Sequence, residues 1–387
     1  MKSAFFNTIV ECPVCRNEHS FETIRVGAYV ESGRDTDFCP TGVKWRFAEL
    51  QGYNPLVYFV ATCPTCLYSR EFNNSFRNWK KDNTFRTYRV KKIREKHLQE
   101  LSDDNSMLKR VSGAIDMENA PNESAVMKLL LAIFDESLSE HVSALDLARW
   151  YLRIGWIYRE MDGGADGSSN ILGQTVAKAG ASLGNSLRTF NAWKDSSDVY
   201  TDTLKKAMKS LDVVSHISRL VEMNESLLKL QMSAEEILHD QGGVIKAMGD
   251  DQCGGSQLTS NTSIGGHNSL FEFIMSLKHE WQDAPANERE ALLTAIHYYK
   301  LAFEGGKEVS KGNQQTQVCY LIAELSRRVG LYDQAREYFH GAIKSGQQLI
   351  HEMRGDKSRT ALARKILELA MEQNQLTREM VAELAVE

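Results

Sequence analysis

The sequence predicts a mainly α-helical protein with three parts: a body of tetratricopeptide-like helical repeats, a small N-terminal β-rich module and an inserted arm built on a long helix. Apolar residues recur at helical spacing from about residue 76 onward. Only six prolines occur among the 387 residues, which permits long uninterrupted helices. Before residue 76, short runs alternate apolar and polar side chains between loops rich in Gly, Pro, Asp and Asn, as strands do.

The composition is that of a soluble globular protein, with 42% hydrophobic and 25% charged residues. No segment approaches the roughly 18 uncharged apolar residues of a membrane span, and the apolar run within Met1–Phe6 is too short for a secretory signal. We therefore expect a cytoplasmic protein without a membrane span. In that reducing compartment, seven cysteines indicate metal binding or isolated thiols rather than a disulfide framework.

Four cysteines form two motifs of the same form, Cys-Pro-x-Cys, within the module at residues 1–75. The four residues are Cys12, Cys15, Cys63 and Cys66. Two-residue spacing lets both thiolates of a tight turn face one ion, and two such turns supply the four ligands of a structural Zn²⁺ site, with no position left for catalytic water. The 47-residue gap between the pairs exceeds the usual 15–20 or so, and Arg16 and Leu67 stand where glycine often follows the second cysteine. The alternative is four buried cysteines without metal.

Two other features of this region have open interpretations. Cys39 lies in the segment Arg34-Asp35-Thr36-Asp37-Phe38-Cys39-Pro40, where it could replace a ligand or be a lone thiol. We expect a core residue, with Asp35 and Asp37 as turn or capping groups. Leu56–Val60 is a predicted strand that leads into Cys63, and Phe21–Val26 is another.

Helical patterns fill most of the remaining chain. They cover residues 77–101, 123–138, 141–161, 196–240, 270–281, 287–305, 314–328, 332–348 and 357–373, with a short last helix from Thr377. Gly-rich segments near 163–170 and 241–269 interrupt the pattern and predict flexible linkers. The predicted domains are residues 1–75 (zinc module), 76–162 (basic helix and first repeat helices), 163–287 (inserted helical arm with linkers) and 288–387 (tetratricopeptide-like repeats and C-terminal cap).

Residues 316–349 follow the tetratricopeptide pattern of small and aromatic positions. The matching residues are Ala323, Gly330, Tyr332, Ala335, Phe339 and Ala342. Half-matches lie at 151–158 and 295–302, so we expect one repeat to be split by the arm. Alternatively, each half-match is an amphipathic helix whose pattern is coincidental.

The first helix of each tetratricopeptide unit lines a concave face, which predicts a surface for a protein partner. Its residues would be Arg149, Leu152, Trp156, Arg159, Gln317, Tyr320, Glu324 and Arg327. Because aromatic residues and arginine dominate binding hot spots, this surface should suit an extended or helical segment with apolar and acidic side chains. In the alternative interpretation, Trp156 and Tyr320 pack against neighbouring helices.

The N-terminal motifs together resemble an uncharacterised bacterial family, known only as a domain of unknown function. The resemblance rests on the paired Cys-Pro-x-Cys motifs, the segment at 34–40, the segment Asn54-Pro55-Leu56-Val57-Tyr58-Phe59-Val60 and the helices that follow. It covers roughly residues 10–160 and 288–350. The resemblance implies zinc binding and helical repeats but supplies no reaction, and the long insert departs from the shorter members.

Residues 70–97 are strongly basic in an otherwise acidic chain. They hold ten Lys or Arg against three acidic residues, a net charge of +7 in a protein of net charge −5. Aromatics interleave with the cations of residues 77–96, a pattern that can bind nucleic acid. We favour the competing interpretation, an amphipathic helix whose aromatics face the core and whose cations are solvated or paired with acidic helices.

The sequence lacks Walker, dinucleotide-binding, G-x-S-x-G and H-E-x-x-H motifs. We therefore expect a non-enzymatic interaction scaffold or assembly component with a structural zinc, and nucleic-acid binding is the first alternative. The second alternative is an enzyme centred on Cys39, Asp35 and Asp37, which requires an exposed Cys39 with a depressed pKa. The apolar stripe of the helix at 196–240 predicts self-association or packing on the repeats.

Overall fold

The computed structural model describes residues 4–51, 53–163, 264–267, 269–354 and 356–384. Over these ranges the protein is mainly helical, with nine α-helices that follow a small strand-rich region. Among the helices so described, none combines the length and apolar character needed to cross a membrane.

The N-terminal region contains three antiparallel hairpins. They pair β1 (Phe5–Glu11) with β2 (Glu18–Ile24), β3 (Tyr29–Glu31) with β4 (Val43–Trp45), and β5 (Val60–Thr62) with β6 (Ser69–Glu71). The turns of the first and third hairpins are residues 12–17 and 63–68, so each encloses one Cys-Pro-x-Cys motif.

The predicted strand at Leu56–Val60 is wrong over most of its length. Residues Pro55–Tyr58 form a 3₁₀ turn, and the strand begins only at Val60. The cause is local: the side chain of Asn54 accepts the N–H of Leu56 at 2.8 Å, and Pro55 has a backbone angle that suits the first helical position.

The nine helices follow in chain order. They are α1 (Val90–Ser102), α2 (Met107–Gly113), α3 (Pro121–Ser137), α4 (Ala144–Gly163), α5 (Leu270–Leu277), α6 (Glu288–Gly305), α7 (Asn313–Arg328), α8 (Tyr332–Glu352) and α9 (Lys357–Leu384). The predicted basic helix at 77–101 begins only at Val90, after π-helical turns at Phe72–Phe76 and Phe85–Arg89. The predicted break before Thr377 is absent, since α9 continues through this residue, whose buried hydroxyl donates to Gln373 O at 2.6 Å within the helix.

The main hydrophobic core lies around α3 and receives side chains from α2, α4, α5, α6 and α7. Helices α4 and α6 pack closely, although residues 164–287 separate them in sequence. At Gly155, an added Cβ would lie 2.9 Å from the side chain of Leu292, and the rings of Tyr151 and Tyr298 stack with centroids 5.6 Å apart. The two half-matches predicted to pair are therefore in contact.

Part of the range predicted as an inserted arm belongs to this core. Helix α5 buries Leu270, Phe273, Ile274 and Leu277 in it. The predicted helix at 196–240, Cys253 and most of the two predicted linkers lie outside the described residues; in the second linker, Ile264 and His267 form an isolated β-bridge.

Candidate metal centre

The two Cys-Pro-x-Cys segments fold as turns with the same backbone hydrogen bonds. The bonds are Arg16 N–H to Cys12 O (3.0 Å), Cys12 N–H to Asn17 O (2.9 Å), Leu67 N–H to Cys63 O (2.8 Å) and Cys63 N–H to Tyr68 O (2.9 Å). The turns thus repeat one geometry at equivalent positions, and each closes a hairpin.

The residue after the second cysteine is left-handed in both turns, with φ of 68° at Arg16 and 66° at Leu67. A non-glycine residue there costs on the order of 1 kcal/mol, which explains why glycine is common at this position. Both side chains gain contacts that offset this cost: the guanidinium of Arg16 lies 4.2 Å from the centroid of the Trp79 ring, and Leu67 packs on the main core.

The four sulfur atoms of the turns lie within 4.8 Å of one another. Cys12 Sγ is 3.6 Å from Cys66 Sγ, and Cys15 Sγ is 3.6 Å from Cys63 Sγ. A disulfide would bring two sulfurs to about 2.05 Å, so all four are free thiols. Four thiolates about 2.3 Å from one tetrahedral ion would be about 3.8 Å apart, close to the observed separations.

The surroundings of the thiols suit a cation. Hydrogen bonds from the Cys12 and Cys66 thiols lower the pKa of Cys63, and the N–H groups of Cys66 and Thr65 lower it further. Hydrogen bonding to Cys63 and burial raise the pKa of Cys12 in turn. The shifts in pKa thus favour a thiolate at Cys63 over thiolates at Cys12 and Cys66, whereas a divalent ion could balance the charge of all four.

A buried histidine, His97, connects this cluster to the helices. Its Nε2 lies 2.6 Å from Cys66 O, and its Nδ1 lies 2.5 Å from Asp135 Oδ1 on α3. Asp135 Oδ2 also accepts the N–H of Ser69 at 2.7 Å. Burial alone would lower the pKa of His97, but the charge and hydrogen bond of Asp135 raise it. Because Cys66 O can only accept, Nε2 donates to it, and the raised pKa favours a second proton on Nδ1, toward Asp135.

Sequence analysis did not identify His97 or Asp135. The available signal was the position of His97 on the apolar face of α1, four residues after Ile93 and seven after Val90, both buried. That spacing shows burial, but it cannot show which groups satisfy the imidazole.

The basic segment is also anchored by a buried carboxylate. Glu136 on α3 accepts from Arg70 (3.0 Å), from Arg89 and from the N–H of Ser143 (2.8 Å). The guanidinium of Arg70 in turn lies 4.5 Å from the centroid of the Phe85 ring. Two of the ten cations are thus structural.

The aromatic residues of the basic segment mostly face the core, as in the interpretation that we favoured. Trp79 and Phe85 are buried, whereas Tyr88 is 68% exposed. The segment offers one exposed ring rather than a row of stacking platforms. Nucleic-acid binding stays a prediction.

The predicted partner surface divides into two sets. Trp156, Arg159, Tyr320 and Glu324 contact the chain's own residues 35–37. The other four do not share this contact: Leu152 is buried in the main core, Arg149 pairs with Asp146 at 3.4 Å, Arg327 pairs with Glu324 at 2.7 Å, and Gln317 is half-buried. Binding of a protein partner to this surface stays a prediction.

Cys39 is half-buried, and its Sγ donates to Pro40 O at 3.6 Å. Burial and the Asp37 carboxylate raise the pKa of Cys39 to about 12. This is opposite to the depressed pKa of a nucleophilic thiol.

Comparison with known proteins identifies the family. No curated protein and no solved structure matches the chain. A family model described as "Uncharacterized protein conserved in bacteria (DUF2225)" matches residues 5–217 and 274–375, wider ranges than the sequence motifs indicated. The match includes all four clustered cysteines and His97. Because the matched ranges cover most of its length, the chain belongs to this family of uncharacterised proteins conserved in bacteria.

Proposed function

We propose that the four cysteines bind one structural Zn²⁺ and that the protein is a non-enzymatic interaction scaffold or assembly component of the bacterial cytoplasm. The observation that carries the metal proposal is the convergence of four sulfurs, from two equivalent turns, within 4.8 Å. Four thiolates suit zinc or iron. Their close spacing favours a single ion, since a cluster of two irons would hold its thiolate pairs on separate metals.

A structural role follows from the position of the site. Isolated two-stranded hairpins are at best marginally stable, and the thiol cluster sits between the first and third hairpins. Cys12, Cys63 and Cys66 are also part of a hydrophobic cluster with Tyr68 and Phe76. One ion would therefore crosslink two hairpins inside their own core, with no ligand position open to substrate.

Metal analysis of the intact, anaerobically purified chain tests this proposal. We expect about one zinc per chain, and Cys12→Ser and Cys66→Ser should lose it because each removes a thiolate ligand. Loss of the metal should also destabilise the fold, because structural zinc contributes on the order of 10 kcal/mol to folding. The matched control is Cys319→Ser, since Cys319 is buried on α7 and its Sγ donates to Tyr338 O. Visible absorption would indicate iron instead, and metal-free wild type would contradict the site.

The scaffold proposal draws its support from the helical body and from the polar groups on one face of α4 and α7. Nucleic-acid binding is a second candidate, supported by exposed Tyr88 beside exposed Arg86 and Lys91. It predicts RNA or DNA binding that weakens steeply with salt and is lost in Tyr88→Ala with Lys91→Glu. Nucleic-acid binding that is unchanged in this double variant would exclude the segment as the site.

A further inference from the structure

The segment at residues 34–40, here called the acidic turn, has an internally bonded shape. Arg34 and Pro40 form a β-bridge at its base, and the N–H of Asp35 donates to Cys39 O at 2.8 Å. The N–H of Phe38 donates to Asp35 O at 2.9 Å. These bonds lie within the turn, so they present its side chains in a fixed arrangement before any helix is contacted.

Both carboxylates of the acidic turn bind guanidinium groups of the helical body. Asp37 is completely buried, and its Oδ2 accepts from Arg159 Nη2 at 2.7 Å and from Trp156 Nε1 at 3.1 Å on α4. Asp35 accepts from Arg159 at 3.1 Å and from Arg328 on α7 at 2.7 Å. Charge-assisted bonds of this kind are roughly twice as strong as neutral ones.

The residue between the carboxylates is contacted as closely. Thr36 O accepts from the hydroxyl of Tyr320 at 2.8 Å. The Thr36 hydroxyl donates to Glu324 at 2.5 Å and accepts from Arg328 at 2.7 Å. Phe38 places its ring 5.5 Å from that of Tyr320, centroid to centroid. The three α7 residues are spaced by four, so they form one face of that helix.

We propose that this face of α4 and α7 is a peptide-binding site for a partner protein that presents a turn of the same chemistry. That chemistry is two carboxylates flanking a hydroxyl residue, followed by an aromatic ring. The acidic turn fills the site in cis until the partner displaces it. The proposal rests on the scaffold function proposed above and names the class of segment that the scaffold recognises.

The contact between the acidic turn and the helices is mostly polar and partly exposed, so a partner segment can replace the turn. Phe38 supplies the apolar part, and the remaining contacts are polar. The side chains of Arg159 and Arg328 are 21% and 18% exposed, and that of Asp35 is 33% exposed, so water and competing carboxylates can reach them. The hairpin that carries the turn packs Trp45 and Ala28 in a small cluster of its own, apart from the main core. Phe38 is the part of the turn that packs on the main core, so a partner that displaces the turn has to supply an aromatic ring in its place.

Binding of a fluorescent synthetic peptide with the sequence of residues 33–41 tests the site on the full-length chain. Asp35→Asn with Asp37→Asn removes the charges of the cis ligand and should open the site. We expect wild type to bind the peptide at least about tenfold more weakly than this opened variant, because the cis turn leaves only a small fraction of the chains competent. Adding Arg328→Glu to the opened variant should abolish binding, whereas adding Arg289→Glu, a change of an exposed arginine on α6, should not.

If the opened variant does not fold, Asp35→Asn alone serves, because Asp35 is partly exposed. A folded opened variant that does not bind the peptide would overturn the proposal. Equal binding by the opened variant with and without Arg328→Glu would also overturn it. Zinc content measured on the same samples distinguishes failure of the peptide site from failure of the metal site. If a partner protein crosslinked equally to wild type and to Arg328→Glu, the scaffold function would stand, but this face of α4 and α7 would not be the binding site.

Discussion

The N-terminal region is joined to the helices at two places that differ in chemistry. At the first, two completely buried residues bind groups beside the cysteine cluster: His97 contacts the carbonyl oxygen of Cys66, and Glu136 accepts from the guanidinium of Arg70. At the second, Asp37 is buried as completely, but Asp35, Arg159 and Arg328 remain partly exposed. Both junctions are polar, so polarity alone does not distinguish permanent structure from exchangeable contact. What distinguishes them is how far water can reach their charged groups.

Burial changes what the loss of one partner costs. A buried charge whose partner is removed stays in a low dielectric without compensation, whereas an exposed charge returns to water at little cost. The first junction should therefore fail if any member is lost, and the second should open and close. Measured stabilities can test this difference directly.

The largest effect is expected at Glu136. Glu136→Gln removes the completely buried charge that pairs with the buried Arg70 and the partly exposed Arg89, so we expect a loss of about 3–5 kcal/mol in the free energy of unfolding. Urea unfolding of the metal-loaded chain measures it. Glu140→Gln is the matched control, because Glu140 pairs with Lys92 on the surface at 3.5 Å, and it should cost less than about 1 kcal/mol. Similar losses in the two variants would contradict the contrast between the junctions.

A third contact between the N-terminal region and α3 tests the cost of a largely buried lysine that is paired with a carbonyl rather than a carboxylate. Lys128 Nζ donates to Val57 O at 2.8 Å, and burial lowers the pKa of Lys128 to about 8. Folding therefore disfavours the charged lysine, so its contribution destabilises the fold below pH 8 and fades as the pH rises toward 10.5. The expected difference is no more than about 3 kcal/mol.

The measurement compares unfolding free energies at pH 7 and pH 10 for wild type and Lys128→Met. The gain of stability with pH should be smaller in Lys128→Met than in wild type, while the exposed control Lys91→Met should keep the wild-type gain. An unchanged gain in Lys128→Met would show that other groups cause it.

His97 should affect metal affinity as well as stability, because its loss also takes the imidazole partner from the buried Asp135 carboxylate. It fixes Cys66 O and Asp135 together, and groups that orient metal ligands from behind typically change affinity by about 10–100-fold. His97→Gln, which cannot donate to both acceptors with the same geometry, should weaken zinc binding by that range in a chelator competition. His19→Gln is the control, because the His19 ring contacts the Thr65 hydroxyl and the Phe21 ring rather than a cysteine. Equal affinities in the two variants would assign His97 to packing alone.

The sequence allowed prediction of features that depend on local spacing. Two-residue gaps between cysteines define tight turns whatever surrounds them, so the four clustered cysteines could be identified. Helical periodicity likewise located α3, α4, α6, α7 and α8 to within a few residues. Where local interactions compete, periodicity failed: Asn54 and Pro55 impose a 3₁₀ turn on residues whose pattern indicates a strand.

Contacts between distant segments could not be predicted in this way. Arg159 was identified as a partner-binding residue from its helix position, and the expectation of an acidic, apolar ligand matches what it contacts. The occupant, however, is Asp37 of the same chain. Its burial depends on how hairpin and helices come together, which neither segment encodes alone. His97 shows the same limit, since the spacing of apolar residues indicates its burial but not its hydrogen-bond partners.

The smallest predicted effect concerns Asp35, at the exposed edge of the acidic turn. Burial opposes its ionisation, but the charge of Arg328 and the N–H of Thr36 lower the pKa of Asp35. Because the folded pKa is depressed, the stabilisation is present above the unfolded value of about 3.9 and is lost as the pH falls through the folded value. Asp35→Asn should therefore cost no more than about 1 kcal/mol at neutral pH. Added salt should reduce that cost, since salt screens partly exposed pairs, while the cost of Glu136→Gln should change little. Thermal unfolding of both variants at low and high salt measures the contrast. If salt affected the two variants alike, the acidic turn would be as permanently fixed as the cysteine cluster, and exchange at the α4–α7 face would lose its physical basis.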